Sequence, residues 1–320
     1  MHRVSVVFSS HQSETLTLAA PLMECHDAVF LEEPPTQGFD FLLDGTLSVE
    51  DYLLAAGMEF PEFSRQSCAL LRELHAREKK IFQVEPFLEQ LAGIHEIFEK
   101  GGRPSDIDPK STQFSVYQVE KRATGALLRY YQTVIGGSFE ATIETVKAFA
   151  RADAARLRFR DSLRAETLAP IVLEYPSAYV EAGTIHYALW GQLKAALRNE
   201  PKPKAVFLMA PVVKPLLGKR QALGPGDVLT LKYLHCPRTR DVRMDLLAAR
   251  SLVFVQLFEK NEMTSDTEPF PHTKDEVEAI RMTGALTFED CRRVFPKIRA
   301  AGTHEARAVV RDHLQRQRGR

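Results

Sequence analysis

Cysteine is scarce and dispersed: Cys25, Cys68, Cys236 and Cys291 are the four in 320 residues. None forms a Cys-x-x-Cys pair, which removes the usual zinc-ribbon and redox-dithiol spacings, and their wide separation argues against a disulfide scaffold. They read as reduced, packed thiols. Net charge is also missing, because 42 basic residues balance 42 acidic ones. No overall field therefore draws the chain to nucleic acid or to an anionic membrane. No apolar run is long enough to span a bilayer, and the opening Met-His-Arg-Val-Ser-Val-Val-Phe turns polar at Ser9 before a signal-like core develops. A cytoplasmic protein with neither nucleic-acid nor membrane partners is expected. Gly224-Pro225-Gly226-Asp227 lacks the Gly-Lys-Ser/Thr sequel of a phosphate loop and is assigned turn and cap chemistry alone.

What is present is an ordinary globular composition, 44% hydrophobic, enough for one large domain or two small ones. Short apolar runs alternate with helical patterns, the signature of an α/β protein with a central parallel or mixed sheet. Residues 3–8 carry Val4, Val6, Val7 and Phe8 and end at Ser9-Ser10-His11. Ala28-Val29-Phe30-Leu31 ends in Glu32-Glu33-Pro34-Pro35, and Ile81-Phe82-Gln83-Val84 ends in Glu85-Pro86, where proline cannot continue a ladder. Ala178, Val180 and Ala182 alternate as a fourth strand, after which Gly183 allows a bend and Thr184 could cap the next helix. Residues 204–210 supply a fifth run. Helices are expected near 13–25, 48–57, 62–79 and 187–198, with a long one near 240–261 and three more to residue 317. These patterns divide the chain into an α/β core over 1–210, holding a helical insertion at about 104–165, and a helical C-terminal region over 211–320.

Polar residues gather at the ends of these strands. His11, Glu32, Glu33, Glu85 and His186 each follow an apolar run, and parallel strands bring their carboxyl ends to one edge, where ligands of open α/β sheets bind. Two imidazoles and two or three carboxylates at one edge could hold Mn²⁺, Co²⁺, Zn²⁺ or Fe²⁺ and acidify a bound water. Without a metal, a carboxylate and a histidine could activate water directly. Acids at strand ends also serve as plain turn and helix-cap residues. The helical stretch before the fourth strand is rich in arginine, with Arg151, Arg156, Arg158, Arg160 and Arg164 forming an otherwise ordinary solvated face. His75, His95, His235 and His272 fall in helical or proline-flanked contexts and read as structural or exposed. Gly302-Thr303-His304 reads as a helix boundary.

The order of these groups resembles the superfamily that includes TraB, PrgY, GumN, Tiki, ChaN and erythromycin esterase, whose marks are two Gly-x-x-His motifs, an acidic pair and an arginine or tyrosine. Gly183-Thr184-Ile185-His186 matches the second motif, and Phe8-Ser9-Ser10-His11 matches the first except that Phe8 stands where glycine is usual. Glu32 or Glu33 corresponds to the acid after the second strand, and Glu85 to the next acidic segment. Arg164-Ala-Glu-Thr-Leu-Ala resembles the Arg-Asn-x-x-Met-Ala pattern, with Ala165 in place of asparagine. The resemblance covers roughly residues 3–210. It implies a metal-dependent hydrolase acting on a peptide or other small acyl substrate, with His11, Glu32, Glu85 and His186 around the metal. Glu32, Glu33, Glu85 and Arg164 would carry the chemistry, Arg164 holding a substrate carboxylate or an oxyanion. It also leaves two other readings open: a non-catalytic regulatory or haem-like ligand-binding protein, and a metal-independent esterase.

Overall fold

Five apolar stretches become strands because each is flanked by residues that stop a ladder and covered on both faces by helices. The computed structural model describes residues 2–56, 61–198, 201–239, 242–265 and 267–318. In chain order the elements run β1 Arg3–Ser9, α1 Ser13–Glu24, β2 Ala28–Leu31, α2 Phe39–Asp44, α3 Val49–Ala56, α4 Pro61–Ala76, β3 Lys80–Gln83, α5 Pro86–Glu99, α6 Thr112–Gly136 and α7 Phe139–Ile171. There follow β4 Ser177–Gly183, α8 Tyr187–Ala196, β5 Lys204–Phe207, α9 Ala210–Leu217, α10 Pro225–His235, α11 Arg243–Phe254, α12 Pro271–Gly284, α13 Phe288–Ile298 and α14 Thr303–Arg318.

The protein is α/β, and its five-stranded sheet is entirely parallel, in the order β3-β2-β4-β1-β5. The strand repeat of two sorts side chains onto the two faces. Val7, Val29, Leu31 and Tyr179 pack with residues of α1 to α4, among them Met23, Leu42, Tyr52 and Leu71. Val4, Val6, Phe8, Phe30, Val180 and Ala182 pack instead with Leu168 near the end of α7 and with Leu189 and Leu193 of α8. Burial on both faces explains why the strands read as continuous apolar runs. The register aligns Ser9 with Gly183, Leu31 with Gln83 and Phe8 with Phe207, so all five carboxyl ends reach one edge.

By internal packing the chain divides into two units, one of residues 1–118 and 157–211, the other of residues 119–156 and 212–320. Part of the segment expected as an insertion into the first therefore groups with the C-terminal region. In the second unit α11 is central, with Ala248, Ala249, Leu252 and Val253 buried against α10, α12 and α13. Its helix starts are specified locally. Asp227 accepts the Gly224 amide at 3.0 Å, and Thr287 and Asp290 form a reciprocal capping box.

Several local expectations differ from the fold. The segment between Gly38 and Gly45, which its two glycines make read as a loop, is the helix α2, its two ends closed by those glycines at φ 87° and 84°. The run from 204 leaves the sheet after Phe207 and turns into α9. α11 stops at Phe254, and the expected helical positions 240 and 241 lie outside the described residues. Among the described residues no helix is long and apolar enough to cross a membrane.

Phe30, fully buried between Phe82 and Tyr175, anchors one face of the sheet. Phe30→Ala is expected to lower the unfolding free energy by about 3–5 kcal/mol, and Phe30→Leu by about 1 kcal/mol, in urea titrations followed by circular dichroism.

Candidate functional site

Strand order decides which polar ends meet. β3, β2 and β4 are neighbours, so Glu85, Glu32 and His186 converge, whereas β1 and its His11 lie on the far side of β4. Glu32 directly follows β2, Glu85 is the residue before α5, and His186 is the residue before α8. One turn of α7 supplies Arg160, Asp161 and Arg164, since positions four apart share a helix face.

These side chains form one buried polar cluster. Glu32 Oε1 lies 3.0 Å from His186 Nε2 and accepts from Arg160 Nη2 at 2.9 Å. Its Oε2 accepts the backbone N–H of Gly183, with Arg164 Nη1 3.7 Å away. The other ring nitrogen, His186 Nδ1, meets Asp161 Oδ1 at 2.5 Å, while Asp161 Oδ2 accepts the Leu189 amide at 3.0 Å. Asp161 thereby caps the start of α8. Arg164, 1% exposed, donates through Nε to the Val84 carbonyl at 2.8 Å and through Nη1 to the Glu181 carbonyl at 2.7 Å. Arg160, partly exposed, also stands 3.2 Å from Glu85 Oε2.

Glu85 is the exception among these groups. It is 1% exposed, yet neither carboxyl oxygen has a hydrogen bond of good geometry, and Arg160 Nε and Arg164 Nη2 on the flanking guanidiniums are unpartnered as well. Buried polar atoms in native proteins are nearly always paired. An orphaned acceptor beside two orphaned donors is the property of this cluster that structure alone does not require.

Environment drives the two glutamates apart. Burial opposes the charged form of Glu32, but His186 and both guanidiniums outweigh it and hold the carboxyl well below the usual range. At Glu85 burial prevails over Arg160 and Arg164, and the carboxyl is raised. Burial likewise disfavours protonated His186, yet Glu32 and Asp161 overcome it and lift the imidazole to about 9. His186 is therefore an imidazolium at neutral pH and not a free base.

Of the expected site residues, Glu32, Glu85, Arg164 and His186 come together; Glu33 and His11 do not join them. Glu33 accepts from Gln83 Nε2 at 3.0 Å, and its carboxyl is raised by burial and then by the charge of Glu181. His11 packs its ring 5.4 Å from that of Phe63 and is near enough to Glu33 for its charge to act on that carboxyl. The register adds a reason. Ser9 aligns with Gly183, so the position three residues on, equivalent to His186, is Gln12. Gln12 precedes α1 as His186 precedes α8, and its Oε1 is buried and unpartnered. Phe8, where glycine was usual, is a core residue stacked on Phe207 and Tyr187. Gly183 leaves little room for a side chain: a Cβ there would press on His186 Cδ2 at 3.2 Å and lie in ordinary contact with Glu32 Oε2 at 3.5 Å.

Among the described residues no group of three or more histidine, cysteine, aspartate or glutamate side chains is disposed to hold a metal ion. Glu32 Oε1 already serves a guanidinium and an imidazolium, so an ion entering there would have to displace Arg160 or His186. The residues as arranged do not fit a resident metal. Sequence reasoning missed Arg160, Asp161 and Glu181; the spacing of Arg160 four before Arg164 was the one available signal.

The chain is 30% identical over 291 residues to an uncharacterized protein of Archaeoglobus fulgidus, an alignment spanning 91% of this chain and 97% of the archaeal one. No family model matches the chain, and no solved structure does.

The shift at His186 makes stability depend on pH. An unfolded histidine titrates near 6.5, so the pairing stabilises fully below that pH, fades as pH rises through about 9, and is gone above it. Glu32 has the opposite sign, contributing above the ordinary carboxylate range and losing that contribution on acidification. Between about pH 6 and about pH 10 the wild-type protein should lose on the order of 3 kcal/mol more unfolding free energy than His186→Gln. Urea midpoints measured across that range check it, and parallel curves would contradict it.

Proposed function

Given that the chain belongs to one family with the Archaeoglobus fulgidus protein, we propose that it is a hydrolase of small acyl substrates, activating water with the Glu85 carboxylate and without a metal ion. The observation that carries this reading is Glu85 itself, buried with neither oxygen hydrogen-bonded, in ion-pair range of guanidiniums that each hold an N–H without a hydrogen bond. The proposal includes membership of the superfamily of TraB, Tiki and erythromycin esterase, on its esterase-like side. It also includes a cytoplasmic location, in keeping with four free cysteines.

An ordinary carboxylate is a weak base at neutral pH, and burial raises the proton affinity of Glu85 toward the working range. In the proposed reaction Glu85 takes a proton from water as the water oxygen bonds to the substrate carbonyl carbon. The negative charge that develops on the carbonyl oxygen is met by Arg160 Nε and Arg164 Nη2, fixed donors in a site of low polarisability. Collapse of the intermediate breaks the bond to the leaving group, which receives the proton from Glu85. Glu32, held by His186, the Gly183 amide and Arg160, keeps the arginine in place and does not itself react. The metal-dependent form of hydrolysis would require Arg160 to give way to the ion.

Hydrolysis of p-nitrophenyl acetate and butyrate and of aminoacyl p-nitroanilides, with and without EDTA, tests the reading. Glu85→Gln should lower kcat/KM at least about 100-fold while keeping a melting temperature close to that of the wild type, and EDTA should change nothing. Activity abolished by EDTA and restored by Mn²⁺ or Zn²⁺ would establish the metal-dependent form instead. Wild-type protein with no turnover above buffer on the whole panel would remove the hydrolase reading.

A further inference from the structure

The hydrolytic reading uses one oxygen of Glu85 as the base, and both oxygens are buried without a hydrogen bond. A local donor was within the reach of neither. Glu85 is the N-cap residue of α5, where a side-chain oxygen can accept an amide of the first helical turn, and it makes no such bond. Its carboxyl is turned instead to α7, where Arg160 Nη2 stands 3.2 Å and Arg164 Nε 3.9 Å from Oε2. Each of those guanidiniums carries a further buried N–H without a hydrogen bond, Arg160 Nε and Arg164 Nη2. Acceptor and donors thus stand side by side. Leaving buried polar groups open costs free energy, which a ligand that pairs them recovers. Such a ligand must offer an acceptor to the two N–H groups and, beside it, a donor to the carboxyl.

We propose that the substrate of this site is a carboxamide whose N–H and C=O point the same way, as in a primary amide or a lactam, a proposal that rests on the hydrolytic reading of Glu85. The carbonyl oxygen accepts from Arg160 Nε and Arg164 Nη2, and the N–H donates to the Glu85 oxygen that does not take the proton from water. An ester has no N–H and leaves that oxygen open. An open-chain secondary amide carries its N–H on the side opposite its C=O, because the cis form is rare outside proline. Sites built to bond a substrate N–H reject analogues that lack it. In the reaction the water oxygen bonds to the carbonyl carbon as a water proton passes to Glu85. The C–N bond then breaks, and Glu85 gives that proton to the nitrogen already beside it. The products are a carboxylic acid and ammonia, or the amino acid of the opened lactam.

Saturation-transfer NMR titrations of the full-length protein with two matched series test it. One series is benzamide, N-methylbenzamide and methyl benzoate; the other is 2-pyrrolidinone, N-methyl-2-pyrrolidinone and γ-butyrolactone. Benzamide, 2-pyrrolidinone or both should bind at least about tenfold more tightly than the other members of their series, and Glu85→Leu should bring each series within about twofold. A preference in the first series alone specifies an open carboxamide, and in the second alone a cyclic one. The wild-type protein should release ammonia from benzamide or open the pyrrolidinone ring, according to which it binds. The proposal is overturned if the ester, lactone or N-methyl compound binds as well as its parent amide, if the preference survives in Glu85→Leu, or if no member of either series binds. The wild-type ranking stands as a test whether or not the variant folds. Ester turnover that is lost in Glu85→Gln, without a preference for the N–H compounds, overturns the carboxamide and keeps the hydrolase. The preference without turnover of any compound keeps the carboxamide site and removes the hydrolase.

Discussion

The Glu32 carboxylate is the point on which the site depends. One side chain at the end of β2 receives the Gly183 amide from β4, an imidazolium from the start of α8 and a guanidinium from α7. Three elements distant in sequence are thus held by the two oxygens of one residue. Truncating it would remove one of the two carboxylates that pair buried His186 and the nearer carboxylate of buried Arg164, the kind of change that costs several kcal/mol even when an intact ion pair contributes little net stability. The acids Glu32, Glu85 and Asp161 face the cations Arg160, Arg164 and His186, so the cluster is balanced group for group. A well-packed apolar core would stabilise as well. The cluster's place at the carboxyl edge of a parallel sheet is where ligands of open α/β folds bind, which is why it is the candidate site.

Glu32 and Glu85 carry the same carboxyl group a few ångströms from the same arginine, and their proton affinities move in opposite directions. The difference lies in pairing. Glu32 accepts hydrogen bonds that favour its charge, whereas Glu85 is buried with none. Pairs of titratable groups pushed apart in this manner mark a division of labour, one fixed charge and one group able to exchange a proton. His186 falls on the fixed side. Its histidine motif pointed to a reactive or metal-binding imidazole, but carboxylates on both ring nitrogens make it a buried cation whose task is to hold Glu32 and, through Asp161, the start of α8.

The apparent pairing of two histidine motifs shows how sequence spacing can mislead. His11 and His186 each follow an apolar run, yet hydrogen-bond register equates Ser9 with Gly183 and therefore Gln12, not His11, with His186. One residue of offset moves a side chain to a different direction, because the chain leaves the strand at a fixed point and the turn that follows sets what points where. Glu32 and Glu33 are separated by the same rule: adjacent residues leaving a strand cannot share a target, so one joins the cluster and the other meets Gln83.

Local physics determined the elements: apolar runs ended by acids and prolines made parallel strands, helical spacing made the covering helices, and Gly183 marked the turn where a Cβ would crowd His186. Those features are legible because they depend on neighbours in the chain. Tertiary structure decided the rest. Strand order placed β3, β2 and β4 side by side and so gathered Glu85, Glu32 and His186 while leaving His11 outside. The approach of α7 brought in Arg160 and Asp161, which in sequence are only two more charges on an arginine-rich helix. It also decided that Glu85 would be buried beside two guanidiniums without a hydrogen bond, because such geometry depends on which atoms meet in space and no spacing along a chain encodes it.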